Sequence, residues 1–120
     1  MSHYIDGFVH PIPNARLEDY KSLVKTVAEI WKEHGALAYW ESTGNDMLLE
    51  GTRSFVDMID AKEDETVLFG WVVFESREAR DLANVKVAND PRMEELMSAT
   101  DTGFDGGRMA YGGFKPFVSS

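Results

Sequence analysis

Two segments of this 120-residue chain are apolar on both faces of a predicted β-strand. Thr66–Phe74 reads TVLFGWVVF, and the earlier segment Tyr4–His10 places Tyr4 and Phe8 on one side with Ile5 and Val9 on the other. Successive side chains of a strand point to opposite faces, so strands of this kind need cover on both faces of their sheet. We therefore expect Thr66–Phe74 to be a central strand.

Helical patterns lie between the predicted strands. Apolar residues recur every three or four positions across 15–34, which predicts a long helix with one core-facing side, begun by Asn14 and ended at Gly35. Ser76 is a suitable N-cap for a second helix that runs to about Ala88. Asp90-Pro91 then predicts the start of a short third helix, because Asp is a good N-cap and Pro fits the first helical position.

The remaining strands complete a recognisable order. We predict strands over 37–42 and 109–118, and a hairpin whose first arm is Ser54–Asp60 and whose second arm is Thr66–Phe74. The order β-α-β-β-α-β predicts an α+β fold of the ferredoxin-like type, an antiparallel sheet with its helices on one face. The other face of the two-faced strands is then uncovered. We therefore expect a homodimer in which two copies meet sheet to sheet, usually with two-fold symmetry.

Composition limits the classes of function. The chain carries 12 Lys+Arg against 21 Asp+Glu, a net charge of −9, and its pI is near 4.7. That acidity disfavours nucleic acid and anionic membranes as partners, since both attract basic surfaces. The chain has no cysteine, which excludes disulfides, thiolate zinc sites and a cysteine nucleophile. With no signal-peptide pattern and no long apolar run, we expect residues 1–120 to form one cytoplasmic domain.

The three histidines show no metal-binding spacing. His3, His10 and His34 form no pair at i, i+3 or i, i+4, so we expect no metal site and no bound cofactor. His34 lies in the last turn of the first helix, where the helix dipole favours a cation. His10 ends the first strand beside a predicted pocket mouth, and both a structural and a functional role stay open for it.

Two polar residues occupy positions that the pattern predicts to be buried. Asp6 lies in the middle of the first strand, and Asn84 lies near the apolar side of the second helix. A buried polar group needs a hydrogen-bond partner, and Arg108, Tyr111 or a backbone amide are candidates for Asp6. Asp6 is thus either a structural acceptor or a carboxylate in a pocket.

Glycines in the bulky central strands suggest where such a pocket could form. Gly7 and Gly70 lack side chains, which predicts a hollow lined by aromatic residues, and an apolar cavity with a few polar groups is the usual form of a ligand site. The candidate lining residues are Asp6, His10, Tyr39, Trp71 and Tyr111. Among these, His10 or Asp6 is the candidate for proton transfer.

Specific blocks of residues run through nearly the whole chain, namely Tyr4–Val9 followed by Pro11 and Pro13, Trp31–Leu37, Asn84–Val87, Asn89–Met93 and Tyr111–Phe114. Together they resemble the YbaA-like family of small bacterial proteins. The resemblance implies a dimeric α+β barrel built on the ferredoxin-like unit, and it implies no activity. The apolar loop Asn45–Gly51 departs from the family pattern, so its role stays open.

Two classes of function remain. The first is a homodimeric small-molecule-binding protein or cofactor-independent enzyme, with a cavity between sheet and helices. The alternative is a non-catalytic dimeric module that meets a protein partner through the motif Asn84–Arg92. An RNA-related role is disfavoured by the acidic pI and by the lack of a basic stripe.

Overall fold

The computed structural model describes residues 3–120, which form a four-stranded antiparallel sheet with three helices against one face. The strands are β1 (Tyr4–Pro13), β2 (Ala38–Thr43), β3 (Glu65–Phe74) and β4 (Ala110–Phe114). The helices are α1 (Leu17–Glu33), α2 (Phe55–Met58), α3 (Arg77–Ala88) and α4 (Pro91–Ala99), and single 3-10 turns span Asn14–Arg16 and Gly106–Arg108. The strand order β2-β3-β1-β4 makes β1 and β3 central and confirms the predicted ferredoxin-like α+β fold.

The register of the central strands separates the sheet into two faces. In the β1–β3 pair, Tyr4 lies opposite Phe74 and His10 lies opposite Leu68, so the even-numbered residues of both strands share one face. We call this the helix face, because Trp31 of α1 and Ala83 of α3 pack there against Tyr4 and Phe74. The odd-numbered residues of both strands form the opposite, open face.

The open face is covered at one end only. There the segment between β2 and β3 brings Val56 and Ile59 against Val9 and Val67. Elsewhere large apolar side chains reach solvent, and Trp40 on β2 is 56% exposed. This uncovered apolar surface agrees with the two-faced pattern of β1 and β3.

One predicted strand is wrong. The pattern of Ser54–Asp60 predicts the first arm of a hairpin, but Phe55–Met58 is the short helix α2. The Ser54 hydroxyl caps it by accepting a hydrogen bond from the backbone N–H of Val56 at 3.1 Å. Val56 and Ile59, three residues apart, then face the sheet together, a spacing that a helix satisfies and a strand does not.

Two element ends also differ from expectation. Asn14 does not cap α1, since its side chain accepts a hydrogen bond from the hydroxyl of Thr66 and α1 begins after a 3-10 turn. The last strand ends at Phe114 and not at Val118. Phe114 pairs with Ile5, and β1 begins only one residue earlier, so β1 offers almost no further partners beyond Phe114. At the other end of α1, Gly35 adopts φ +124°, the left-handed conformation expected of it.

Within residues 3–120 no helix has the length and apolar character needed to cross a lipid bilayer.

Candidate functional site

A cavity of about 320 Å³ lies between the helix face of the sheet and the helices. Its wall is mainly apolar and contains aromatic, aliphatic and methionine side chains. These come from the sheet, from α1 and α4 and from the segment that follows α4, namely Phe8, Leu23, Val24, Val27, Trp31, Val72, Phe74, Met93, Met97, Phe104 and Met109. Its polar lining residues are Asp6, His10, Tyr20, Tyr39, Asn84 and Tyr111. A volume of this size is within the usual range for small-molecule sites.

A polar cluster centred on Glu41 lies beside the cavity, and three of its members, His10, Tyr20 and Tyr39, line the cavity wall. Nε2 of His10 lies 3.1 Å from Oε1 of Glu41 and 3.1 Å from the hydroxyl of Tyr20. The Tyr20 hydroxyl donates to the same Oε1, while the Tyr39 hydroxyl donates to Oε2 at 3.0 Å. His10 is 1% exposed, whereas Glu41 and Tyr39 are half-buried.

These contacts define the tautomer of neutral His10. Tyr20 uses its proton on Glu41, so both groups near Nε2 present lone pairs to it, and Nε2 must carry the proton. Nδ1 is then an acceptor, and it is buried without a hydrogen-bond partner among residues 3–120. A carboxylate that orients one imidazole nitrogen and leaves the other with a free lone pair is the arrangement of a general base.

The two tyrosines in this cluster are held as proton donors. Burial raises the pKa of Tyr20 far above its ordinary value, and the negative charge of Glu41 and the hydrogen bond to it act in the same direction. The same three causes, burial first, raise the pKa of Tyr39. Both hydroxyls therefore keep their protons and direct them to Glu41.

A second polar cluster surrounds Asp6 farther along the same strand. Arg80 on α3 donates to Oδ1 of Asp6 at 2.7 Å, and the Tyr111 hydroxyl donates to the same oxygen at 2.7 Å. Arg80 also donates through Nε to Asp81 at 2.8 Å, and its guanidinium carbon lies 4.9 Å from the centre of the Tyr4 ring. Burial, together with the hydrogen bond to Asp6 and its charge, raises the pKa of Tyr111 to about 12.

The structure brings four of the five predicted lining residues to the cavity. Asp6, His10, Tyr39 and Tyr111 are all in its wall. Trp71 is not, and its placement there was wrong, because odd-numbered residues of β3 point to the open face. Its indole stacks on Trp40 with ring centres 5.6 Å apart and an interplanar angle of 13°.

Two further predicted positions need correction. Asn84 is exposed at the helix side of the cavity and is not buried. Arg108 does not reach Asp6; it forms a two-pronged ion pair with Glu65, with N–O distances of 2.6 and 2.8 Å. Of the predicted side-chain partners of Asp6, only Tyr111 is confirmed.

The glycines do not create the cavity. The phenyl ring of Phe8 fills the space beside Gly70, where an added Cβ would lie 2.4 Å from the ring. Gly7 is on the open face, next to Phe114.

Three residues of the two polar clusters are not among those predicted from the sequence, namely Tyr20, Glu41 and Arg80. Tyr20 belongs to the apolar stripe of α1, and its ring is buried as that stripe predicts. Its polar role is visible only in the structure, where the buried hydroxyl donates to Glu41. Glu41 had one available signal, because it follows Tyr39 by two residues and so shares its face of β2. The charged pattern of α3 predicts a surface position for Arg80, yet it is only 9% exposed.

The motif Asn84–Arg92 contributes contacts within the chain. Oδ2 of Asp90 lies 2.8 Å from Nε2 of His34 and 2.8 Å from Arg92, while Oδ1 accepts the backbone N–H of Arg92 as the N-cap of α4. Arg92 also donates to Glu33 at 2.9 Å. Its hydrogen bonds to Arg92 and His34 hold the pKa of Asp90 well below its usual range. These contacts tie the start of α4 to the end of α1.

No group of three or more His, Cys, Asp or Glu side chains within residues 3–120 is placed to hold a metal ion. Within each of the two polar clusters the side chains instead hydrogen-bond to one another, apart from Nδ1 of His10.

Comparison with other sequences gives two consistent findings. The family model described as "Protein of unknown function (DUF1428)" matches residues 3–106. The chain is also 37% identical over 115 residues to the protein named "Uncharacterized protein YbaA" of Escherichia coli strain K12, covering 96% of this chain and 97% of that protein. The protein of the same name from Shigella flexneri matches with the same identity and coverage.

Solved structures with a similar fold are more distant in sequence. A NIPSNAP family protein with unknown function from Agrobacterium tumefaciens has a TM-score of 0.61 at 15% identity, covering 98% of this chain and 91% of its own. A monooxygenase from the gene ActVA-Orf6 of Streptomyces coelicolor, solved with nanaomycin D, has a TM-score of 0.56 at 18% identity, covering 98% and 89%. A dimeric ferredoxin-like protein from an uncultured marine organism has a TM-score of 0.51 at 11% identity, covering 98% and 97%. At these identities the likeness shows the fold alone.

Proposed function

Because this chain belongs to the DUF1428 family of proteins of unknown function, which confirms its resemblance to YbaA-like proteins, we propose its function from the cavity itself. The cavity binds a small, largely apolar molecule that carries an acidic hydroxyl, such as a phenol or an enol. The observation that carries this proposal is the free Nδ1 of His10, buried in a ring whose Nε2 faces Glu41.

The chemistry of this proposal is one proton transfer. The O–H bond of the ligand breaks, the Nδ1–H bond of His10 forms, and the ligand becomes an oxyanion beside an imidazolium. Glu41 stabilises that imidazolium, because its carboxylate lies 3.1 Å from Nε2 and accepts the proton that Nε2 carries. The ligand oxygen keeps its electron pair, so the step needs no oxidant and no reductant.

The cavity wall supports an apolar ligand with a flat ring. Phe8 and Phe104 contact the imidazole of His10, with ring centres 5.9 and 5.3 Å apart. Met93, Met97 and Met109 supply flexible, polarizable side chains that adapt to irregular ligand shapes. Burial of apolar ring surface would supply most of the binding free energy, and His10 would orient the hydroxyl.

The alternative function, a protein-interaction module built on Asn84–Arg92, has weaker support. Asp90 and Arg92, the charged residues at the end of that motif, are engaged by His34, Glu33 and each other. A partner would have to break these contacts before it could use them. The cavity needs no such rearrangement of charged groups.

We propose in addition that two copies pair through their open faces. The whole chain has a net charge of −9, but the open face of β1, β2 and β3 carries one charged side chain, Glu65, at the first position of β3. Arg108 forms an ion pair with Glu65 and so neutralises its charge. The face exposes Trp40 and Phe69, and Phe114 on β4 is 59% exposed. An apolar face of this kind is the part of an acidic chain where a second identical copy meets the least repulsion.

The ligand proposal is tested with 4-nitrophenol, whose phenolate is yellow and whose neutral form is not. The probe is titrated with the protein at a pH at which most of the free probe is neutral. We expect saturable growth of the phenolate absorbance with the wild-type protein, less growth with Glu41→Gln, and none with His10→Asn, which keeps a polar atom near Nδ1 but not its basicity.

Trp71→Phe is the matched control, because it alters an aromatic side chain on the opposite face of the same sheet and should leave the titration unchanged. Circular dichroism confirms that each variant is folded. If the wild-type protein produces no phenolate absorbance, or if His10→Asn produces as much as the wild type, the proposal is wrong.

A further inference from the structure

Helix α4 forms part of the cavity wall but buries no residue of its own. Met93 and Met97 are four residues apart, so they lie on one side of α4, and both line the cavity. None of the nine residues of α4, all within the described part of the chain, is buried, although α1 buries four residues and α3 buries three. Met97 itself is 47% exposed. The two methionines therefore face the cavity without being packed into the core.

Polar contacts attach both ends of α4 to α1 or its neighbouring residue. At the start of α4, Arg92 donates to Glu33, the last residue of α1, at 2.9 Å. Beyond the other end, Nη1 of Arg16, which directly precedes α1, lies 2.9 Å from Oδ2 of Asp101. Thr102 follows and is 5% exposed. The segment that contains α4 is thus fixed at its two ends, whereas the helix between them is not held by buried side chains.

A short helix held in this way has little to stabilise it. A helix of nine residues is marginal in water on its own, and helices in proteins gain most of their stability by burying an apolar face. Segments with few buried apolar contacts are the ones that open locally while the rest of the protein stays folded. An apolar ligand in the cavity would supply the surface that Met93 and Met97 lack in the free protein.

We propose that α4 is a lid on the cavity. It unfolds between its two attachments to admit the ligand, and it refolds when Met93 and Met97 pack on the apolar surface of that ligand. The proposal rests on the proposed function, since it concerns the ligand of the same cavity. The ligand favours the folded lid because only that state offers it these two contacts, so folding of α4 and binding are one coupled equilibrium.

Hydrogen exchange measured by mass spectrometry tests the lid directly, with and without N-phenyl-1-naphthylamine. This probe is uncharged, has no hydroxyl and fluoresces in apolar surroundings, so a fluorescence titration measures its binding separately. In the free protein we expect the backbone amides of α4 to be about tenfold less protected than those of α3. Saturating probe should raise the protection of α4 about tenfold and leave that of α3 nearly unchanged.

Glu95→Gly and Lys86→Gly are a matched pair of variants. Both residues are exposed and charged and lie inside a helix, Glu95 in α4 and Lys86 in α3. Glycine destabilises the helix that contains it, so Glu95→Gly should weaken probe affinity about fivefold while leaving the melting temperature near that of the wild type. Lys86→Gly alters a helix that is folded before the ligand arrives. It should lower the melting temperature and keep the wild-type affinity.

The outcomes separate the lid from the proposed function. If α4 in the free protein is as protected as α3, or if bound probe leaves its protection unchanged, α4 is a fixed wall and the lid is wrong. Equal losses of affinity in the two glycine variants would also overturn it. If the naphthylamine binds and protects α4 but 4-nitrophenol gives no phenolate absorbance, the lid stands and the proposed hydroxyl ligand is wrong. If neither probe binds, both proposals fail; if only 4-nitrophenol binds, exchange measured with it decides by the same criterion.

Discussion

Nε2 of His10 lies 3.1 Å from Oε1 of Glu41, although the strands that carry them are not neighbours in the sheet. His10 is on β1, Glu41 is on β2, and β3 runs between them. The β3 residue paired with Glu41 is Gly70, and the space beside it is filled by the ring of Phe8, which contacts the imidazole of His10. The position of Phe8 beside the candidate base therefore depends on a glycine in the middle of a bulky strand.

Gly70→Ala tests this dependence. The new Cβ would lie 2.4 Å from the ring of Phe8 and 2.9 Å from the backbone oxygen of Trp40, so the ring must move into the cavity. Overpacking of this kind costs about 1–3 kcal/mol, and we expect a loss of that size in urea unfolding together with weaker binding of 4-nitrophenol.

Gly7→Ala is the matched control on the same sheet. Its Cβ would meet the ring of Phe114 at 3.4 Å, an ordinary contact on the open face. Alanine in a strand also costs less backbone entropy than glycine, by about 0.5–1 kcal/mol, so this variant should be as stable as the wild type or slightly more so. Equal losses at both positions would show that the close approach of Phe8 is not the cause.

The buried tyrosines predict a loss of stability at alkaline pH. The pKa values of Tyr20 and Tyr39 are raised in the folded protein, so both phenols stay neutral while those of the unfolded chain ionise above about pH 10. The unfolded state then releases protons that the folded state retains, and the free energy of unfolding falls as the pH rises past that value. We expect the free energy of unfolding of Tyr39→Phe to fall less steeply than that of the wild type above about pH 10. Urea unfolding at a series of pH values measures this difference.

The ion pair between Glu65 and Arg108 predicts a loss of stability in acid. The hydrogen bond from Arg108 lowers the pKa of Glu65 to about 2, below the value of about 4.3 expected in the unfolded chain. A lowered carboxyl pKa stabilises the folded state above the unfolded pKa, and that contribution disappears as the pH falls from about 4.3 toward 2.

Glu65→Gln should therefore be less stable than the wild type at pH 7, and the difference should shrink through that acid window. Thermal unfolding followed by circular dichroism measures it. Glu63→Gln, on the exposed turn before β3, is the control and should track the wild type at every pH. A constant difference between Glu65→Gln and the wild type throughout the acid window would rule out this ion pair as the source.

The proposed pairing of open faces predicts an effect of Trp40→Glu on molecular mass. Trp40 is 56% exposed and stacks on Trp71, and a carboxylate there would put like charges together in a two-fold interface. We expect light scattering to give the mass of one chain, 13.5 kDa, for this variant and twice that mass for the wild type. Leu82→Glu changes a similarly exposed residue on α3 and should keep the wild-type mass.

Short sequence patterns correctly predicted where helices begin, because a helix N-cap depends only on residues within one turn of it. Ser76 caps α3 by accepting the N–H of Ala79, and Asp90 caps α4, as their positions before helical runs indicated. The prediction for Ser54–Asp60 is wrong because a four-residue helix is too short to display a period, and its packing on Val9 and Val67 decides its shape.

Side-chain alternation and helical spacing were enough to predict that β1 and β3 are two-faced and central and that helices cover one side of the sheet. These patterns act over a few residues and can be read from the chain alone. The partners of the polar groups could not be predicted in this way, since Glu41 orients His10 from 31 residues away and Arg80 binds Asp6 from 74 residues away. Trp71 likewise faces away from the cavity because of the register between strands. Strand order and packing bring these groups together, and no local pattern records them.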